Sequence, residues 1–420
     1  MTSRILRKIK GEYVEVRHST VVWNDLKTQF GNQIQRQCRE GVSLRVVDKG
    51  CLRVSHSSDC ESESVVHLIQ EADNHPVLNY TPADTVQHHE EQPEPIDLPI
   101  ELVQTILDRF NTFKSAGARL ESLTTYEHIS TNLGTDIYCG TSKLFIRLLL
   151  TPQEGITLVY SFGYPGEDVI RNLEQVEQLE LRKFTECHSI PSGQYTVVFS
   201  PQVTGMIFHE IAHSFEGDVP HLPGIPAFIS VSDHPEAKLL GGYAFDSEGS
   251  RASPSVLIDH GVPSHCLTSV FQPGDRKLTG NGRASSFEVP PISRQSNLCV
   301  NAKTKCTEEE LLKMAGDGIY ISQVGEGSAF PGNITYFTNT VCYRIEQGEL
   351  KEPLKGISFG GNLIDMINNI QYMGGISKVE PTVCWKSKQR LFMTTTAPSS
   401  LVKHISLSCH TSPKKQQRTW

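Results

Sequence analysis

Apolar and polar residues alternate near the start of the chain, through Tyr13, Val14 and Val16, then Val42, Leu44 and Val46, then Leu52 and Val54. A period of two marks half-buried strands, and Asp48, Lys49 and Gly50 supply a turn, so residues 11–58 predict a meander or sheet edge. From Leu98 to Leu120 the period lengthens, and Leu102, Ile106, Leu107, Phe110 and Phe113 share one face of an amphipathic helix. Ser142–Phe162 predicts two strands around Pro152–Gly155. Gly166–Phe184 predicts a second helix carrying Val169, Leu173, Val176, Leu179 and Leu181. The stretch Tyr80–Ile100 is polar and proline-rich, which predicts a long surface loop with His88 and His89 as solvated side chains.

After a strand at Gln194–Phe199, turn glycines punctuate the chain at Gly241, Gly242, Gly249, Gly261, Gly280, Gly282, Gly360 and Gly361. Between them Val256–Ile258 and Val341–Ile345 read as strands, the latter closed by the turn Glu346–Gly348. Thr307 with Glu310 three residues on forms a capping box, and Leu363–Met373 predicts one further helix. The whole is an α+β chain. An N-terminal α/β-type domain with a mixed sheet and helices is expected over 1–190. A mainly β domain follows over 191–420, with a helix near its start.

That helix carries the chemistry. Ser200 is an N-cap with Pro201 at the first helical position, and Gly217 is a stop, which bounds a helix at about 201–216. Within it lies His209-Glu210-Ile211-Ala212-His213, an HExxH pattern. Residues four apart stand one turn above each other, so both imidazoles can reach a single ion, while Glu210 is free to act as general base on a metal-bound water. Ile207, Phe208, Ile211, Ala212 and Phe215 cover one broad side, and Gln202, His209, His213 and Glu216 form a polar stripe opposite. Two core histidines satisfied by hydrogen bonds are the bland alternative, disfavoured because two imidazoles and a carboxylate are costly to bury without a ligand. A catalytic zinc has three protein ligands, so a distant cysteine, histidine or carboxylate must complete the set. Glu216 and Asp218 are nearby carboxylates suited to capping the helix or orienting a histidine.

Composition narrows the setting. The 420 residues carry 38% hydrophobic and 20% charged positions, which describes an ordinary globular protein with room for two or three domains. A formal charge of −8 argues against a nucleic-acid surface. No run of about eighteen apolar residues occurs and the basic start lacks a secretory core, so a cytoplasmic protein without a membrane span is expected. Eleven cysteines without a CxxC pair do not form a disulfide framework. Most, such as Cys266, Cys299 and Cys342, should be reduced and buried.

In their order along the chain these features resemble the TldD/PmbA family of metallopeptidases, also called modulators of DNA gyrase. The resemblance rests on Glu12–Arg17, Gly41–Val47, the HExxH helix with its Glu216-Gly217-Asp218 tail and Tyr243–Gly249. Arg294–Asn297, Gly318–Tyr320, Ile345–Gly348 and Pro353–Gly356 continue it. The family's third ligand is a cysteine in a C-terminal Cys-Gly-Lys-like segment followed by glutamine. Pro381–Gln389 occupies that place, so the resemblance implies Cys384 as third ligand, with Trp385 where relatives have glycine. The family motif also has three residues between the glutamate and the second histidine where this chain has two, so a straight helix can serve here. The resemblance implies one zinc held by His209, His213 and Cys384, with Glu210 as catalytic base. It further implies an extended, unfolded or leader-like peptide substrate, and a homodimer or a heterodimer with a related subunit. The competing reading is a non-catalytic assembly or binding subunit with a structural or absent metal. Hydrolysis of a non-peptide amide is a third.

Overall fold

A computed structural model of the chain describes residues 1–28, 33–77, 79–152, 156–166, 168–177, 187–217, 222–271, 277–303, 306–330, 333–338 and 340–409. Two large sheets organise it. The first runs in the order His75–Pro76, Cys51–Ser57, Gln33–Asp48, Tyr13–Lys27, Ser115–Thr131, Asp136–Thr151 and Gln87–His89, with Leu158–Tyr164 also paired to Asp136–Thr151. Its pairings are antiparallel except that Gln87–His89 lies parallel to Asp136–Tyr138. Helices Ser62–Glu71 and Ile100–Arg109 contribute Val65, Ile69, Val103, Ile106 and Leu107 to the apolar clusters on this half.

The first strands are more deeply buried than their alternation suggests. Glu15, Arg17 and Arg45, polar positions of the period-two pattern, are 1%, 0% and 3% exposed. Arg45 pairs with Glu15 and, at 2.6 Å, with Glu248 of the C-terminal half, and Arg17 Nη2 donates to the carbonyls of Ser286 and Val289. The polar face of the N-terminal sheet is therefore a charged seam against the rest of the molecule. Buried charges of this kind are tolerated because each has an opposite partner.

The second sheet is built around Gln389–Cys409. It runs in the order Val262–Pro263, Ser255–Asp259, Ile229–Asp233, Asn297–Ala302, Gln389–Cys409, Gly193–Phe199, Gly318–Gln323, Val341–Glu346 and Glu349–Leu354. Ile370–Lys386 forms a long hairpin with Gln389–Cys409. Helix Pro201–Ala212 leaves strand Gly193–Phe199 through Ser200, whose hydroxyl accepts from Val203 N. Its Val203, Ile207, Phe208 and Ile211 join Val197, Phe199, Ala397 and Val402 in the largest apolar cluster. That docking fixes the orientation of the polar stripe.

Several boundaries differ from the sequence reading. The helix expected over Leu98–Leu120 ends at Arg109, and Ser115–Thr131 is a strand pairing on both sides. Phe110 and Phe113 still pack with Val103, Ile106 and Leu107, so their helical spacing reflects a shared core and not a continuous helix. The helix expected over Leu363–Met373 stops at Asn368, where strand pairing from Ile370 takes over. Gln87–His89 interrupts the long loop, where the His88 ring lies tilted 4.7 Å from that of Phe245 and bonds Glu90 at 3.0 Å. Helix Val169–Glu177 covers the first half of Gly166–Phe184. The remainder, with Leu179 and Leu181, lies outside the described residues, as do Asp218 and the turn at 153–155. Cys266 and Cys342 are buried and Cys299 is intermediate. Among the described residues no helix is long and apolar enough to cross a membrane.

Candidate metal centre

The α-helix ends at Ala212 and His213–Phe215 tightens into a 3-10 turn before Gly217, whose φ of 111° only glycine adopts easily. His213 keeps φ −58° and ψ −27°, so it remains helical and stands over His209, ring centroids 4.8 Å apart and nearly perpendicular. Cys384 reaches the pair from the hairpin. It lies on strand Ile370–Lys386 opposite Leu391, three residues before the turn at Ser387 and Lys388, both with positive φ. Trp385, the departure from the family's glycine, continues the strand and points outward at 68% exposure.

Ligand atoms of His209, His213 and Cys384 all lie within 4.8 Å of one another. Cys384 Sγ is 3.3 Å from His213 Nε2. Burial pushes the Cys384 thiol up, but hydrogen bonds from His209 and His213 outweigh it and hold the thiol at about 5. Burial lowers His213, yet its bonds to Cys384 and Glu216 prevail and lift it to about 10. Both shifts favour a thiolate facing a protonated imidazole, the charge state in which a cation can replace the shared proton.

Glu216 organises the surroundings. Its Oε2 is 2.9 Å from His213 Nδ1 and 2.5 Å from Lys386 Nζ, and its Oε1 accepts from Gln295 N at 3.0 Å and pairs with Arg294 Nε at 3.5 Å. Burial raises this carboxyl, but His213, Lys386 and Arg294 overcome that and hold it at about 2. A carboxylate on Nδ1 selects the tautomer that leaves Nε2 toward Cys384. Gln295 Nε2 also donates to the His209 carbonyl at 3.1 Å, and Arg294 Nη2 to the Cys384 carbonyl at 3.4 Å. The sequence reading marked Glu216 as a possible orienting group. It gave no role to Arg294, Gln295 or Lys386, whose proximity depends on the sheet.

The donor set suits a metal. Two imidazoles and a thiolate are the nitrogen and sulfur ligands that zinc prefers, and three of them leave one position open. His209 Nδ1 is buried and has no hydrogen-bond partner among the described residues. The centre opens on a cleft of about 760 Å³ that is also lined by Glu210, Gly325–Ser328 and Thr382–Lys386. A Cβ on Gly327 would come 3.3 Å from Glu210 Oε1.

The fold places a His-His-Cys cluster that could hold a metal beside an accessible cleft. Residues 225–409 match the PmbA/TldA metallopeptidase C-terminal domain. A metalloprotease of Methanothermobacter thermautotrophicus is 28% identical over 270 residues, covering 59% of this chain and 59% of that protein. The chain therefore spans about three fifths of that relative's length. A zinc metalloprotease TldD homolog of Saccharolobus solfataricus is 22% identical over 437 aligned positions, covering 95% of this chain and 97% of the relative. The crystal structure of TldE from Thermococcus kodakarensis superposes with a TM-score of 0.76 at 16% identity, over 97% of this chain and 99% of the other. Residues 225–409 are thus similar to the PmbA/TldA metallopeptidase C-terminal domain, and the chain as a whole shares the fold of TldE.

Proposed function

We propose that this chain is a zinc-dependent peptidase acting on unfolded or leader-like peptides, with His209, His213 and Cys384 as ligands of one zinc and Glu210 as catalytic base. One observation supports this above others: three metal-ligating side chains from a helix and a distant hairpin converge at a cleft that Glu210 also lines. Zinc, when bound, supplies Lewis acidity toward a water and toward the scissile carbonyl oxygen. Glu210 takes the proton of the attacking water and returns it to the leaving amine nitrogen. Glu216 holds His213 in its ligating tautomer, and Gln295 and Arg294 fix the backbones that carry His209 and Cys384.

The substrate lies extended in the cleft. Among the described residues, strand Glu326–Phe330 pairs only with Ile334–Thr338, and its first residues line the cleft beside Glu210. An open strand edge takes a peptide through main-chain hydrogen bonds, which gives affinity with little sequence preference. In this reading residues 1–190 form one domain that walls the cleft, residues 191–420 form the metallopeptidase domain, and a second copy or a related subunit encloses the cavity.

The test pairs elemental analysis with mass spectrometry of unstructured peptides. Glu210→Gln is expected to retain one zinc per chain and to lose hydrolysis by about 10²- to 10⁴-fold. Full turnover by that variant would remove Glu210 from its role. A metal-free wild type that cleaves nothing would favour the assembly-subunit reading.

A further inference from the structure

The cleft at the candidate metal centre is lined by cations of the N-terminal sheet and the hairpin. Lys27, Arg119, Arg147, Lys386 and Arg390 all line it, Lys386 being paired with Glu216. Two of the arginines are already matched. Arg119 Nε and Nη2 each lie 3.0 Å from an oxygen of Asp25, and Nη2 is also 3.0 Å from Glu121 Oε1. Arg390 Nη2 bonds Glu121 Oε2, and its guanidinium lies 5.2–6.0 Å from the rings of Trp23, Trp385 and Phe392. Asp25 and Glu121, 3% and 0% exposed, take up these pairs, and the Glu121 charge also acts on Arg147 without an ion-pair contact.

Arg147 is left over. Its guanidinium sits 5.5 Å from the Phe145 ring, and its Nε is buried without a hydrogen-bond partner. None of its nitrogens reaches a carboxylate within ion-pair distance among the described residues. Glu326 lines the same cleft but is exposed and unpaired with it. A buried guanidinium donor without an acceptor is rare in a native protein, and a planar fork of donors matches a carboxylate in particular.

We propose that Arg147 receives a carboxylate of the bound peptide, so that the cleft prefers anionic peptides over their neutral counterparts. The substrate class rests on the peptidase reading. The contact itself rests on the unmatched guanidinium in a cleft next to an open strand edge. Two carboxylates qualify: the peptide's own C-terminus and the side chain of an Asp or Glu residue.

The test is direct binding, which does not require turnover. Zinc-loaded Glu210→Gln protein is titrated against four fluorescent peptides of one sequence, combining a C-terminal acid or amide with an internal Glu or Gln, and anisotropy is read. At least one carboxylate is expected to tighten binding by about 10- to 100-fold over its uncharged counterpart, and the arm that does so identifies its source. Adding Arg147→Gln should shrink that gap to about 3-fold or less, and Arg147→Lys should restore part of it, with zinc content and melting temperature checked in parallel. Equal binding of all four peptides, a gap that survives Arg147→Gln, or no binding of any peptide would overturn the proposal. Failure of the wild type to cleave peptides while the gap persists would instead count against the peptidase reading alone.

Discussion

Glu216 shows how much of the centre depends on a single residue. It touches His213, Lys386, Arg294 and the backbone of Gln295, joining the end of the helix to both segments that close the site. Replacing it by glutamine keeps the size but removes the charge. Glu216→Gln is expected to weaken zinc binding by about 10- to 100-fold, as loss of a group orienting a ligand does. Competition against a chromophoric chelator reads this, and an unchanged affinity would mean that His213 is held by other means. Cys384→Ala should cost more, because it removes a ligand atom; zinc stoichiometry near one at micromolar metal would exclude the thiolate from the set. At this scale the sequence exposed His209, Glu210 and His213, whose spacing is local. Cys384 came only through resemblance, being 171 residues from His213.

Strand Asp136–Thr151 carries a second consequence of burial. Lys143 is 6% exposed and faces a small cavity near Arg283, and burial followed by that neighbouring cation holds its amine well below the usual lysine value. Between the depressed folded value and about 10.5, the unfolded chain binds one more proton than the folded one, so stability rises with pH across that window. Lys143→Met is expected to raise the melting temperature at neutral pH and to flatten this rise. A lower melting temperature would show that the amine has a favourable partner. On strand Glu326–Phe330, Gly327→Val should crowd Glu210 and the Phe337 ring, which lie 3.3 Å and 3.1 Å from a Cβ placed there. Reduced turnover with zinc retained is the outcome to look for. Element types followed from periodicity for the first strands and the HExxH helix. They were misjudged at Phe113, which lies in the turn before strand Ser115–Thr131, and at Met373, where strand pairing decides the backbone.

Across the whole molecule, the proposed ligands span the helix that follows strand Gly193–Phe199 and the hairpin Ile370–Cys409. A bound metal links segments that are far apart in sequence, so it should stabilise the folded state over the unfolded one. Chelation is expected to lower the melting temperature of wild-type protein by several degrees and to leave His209→Ala nearly unaffected. Calorimetry with and without chelator checks both. The sequence by itself determined what is local: strand alternation, the cap at Ser200, the capping box at Thr307 and the one-turn separation of His209 and His213. The tertiary structure alone decided which polar faces are buried, as with Arg17 and Arg45. It also brought Arg294, Gln295 and Lys386 to the candidate metal centre and left Arg147 Nε without an acceptor among the described residues. The physical reason is that hydrogen-bonded periodicity acts over a few residues, whereas burial and ion pairing depend on which distant strands become neighbours.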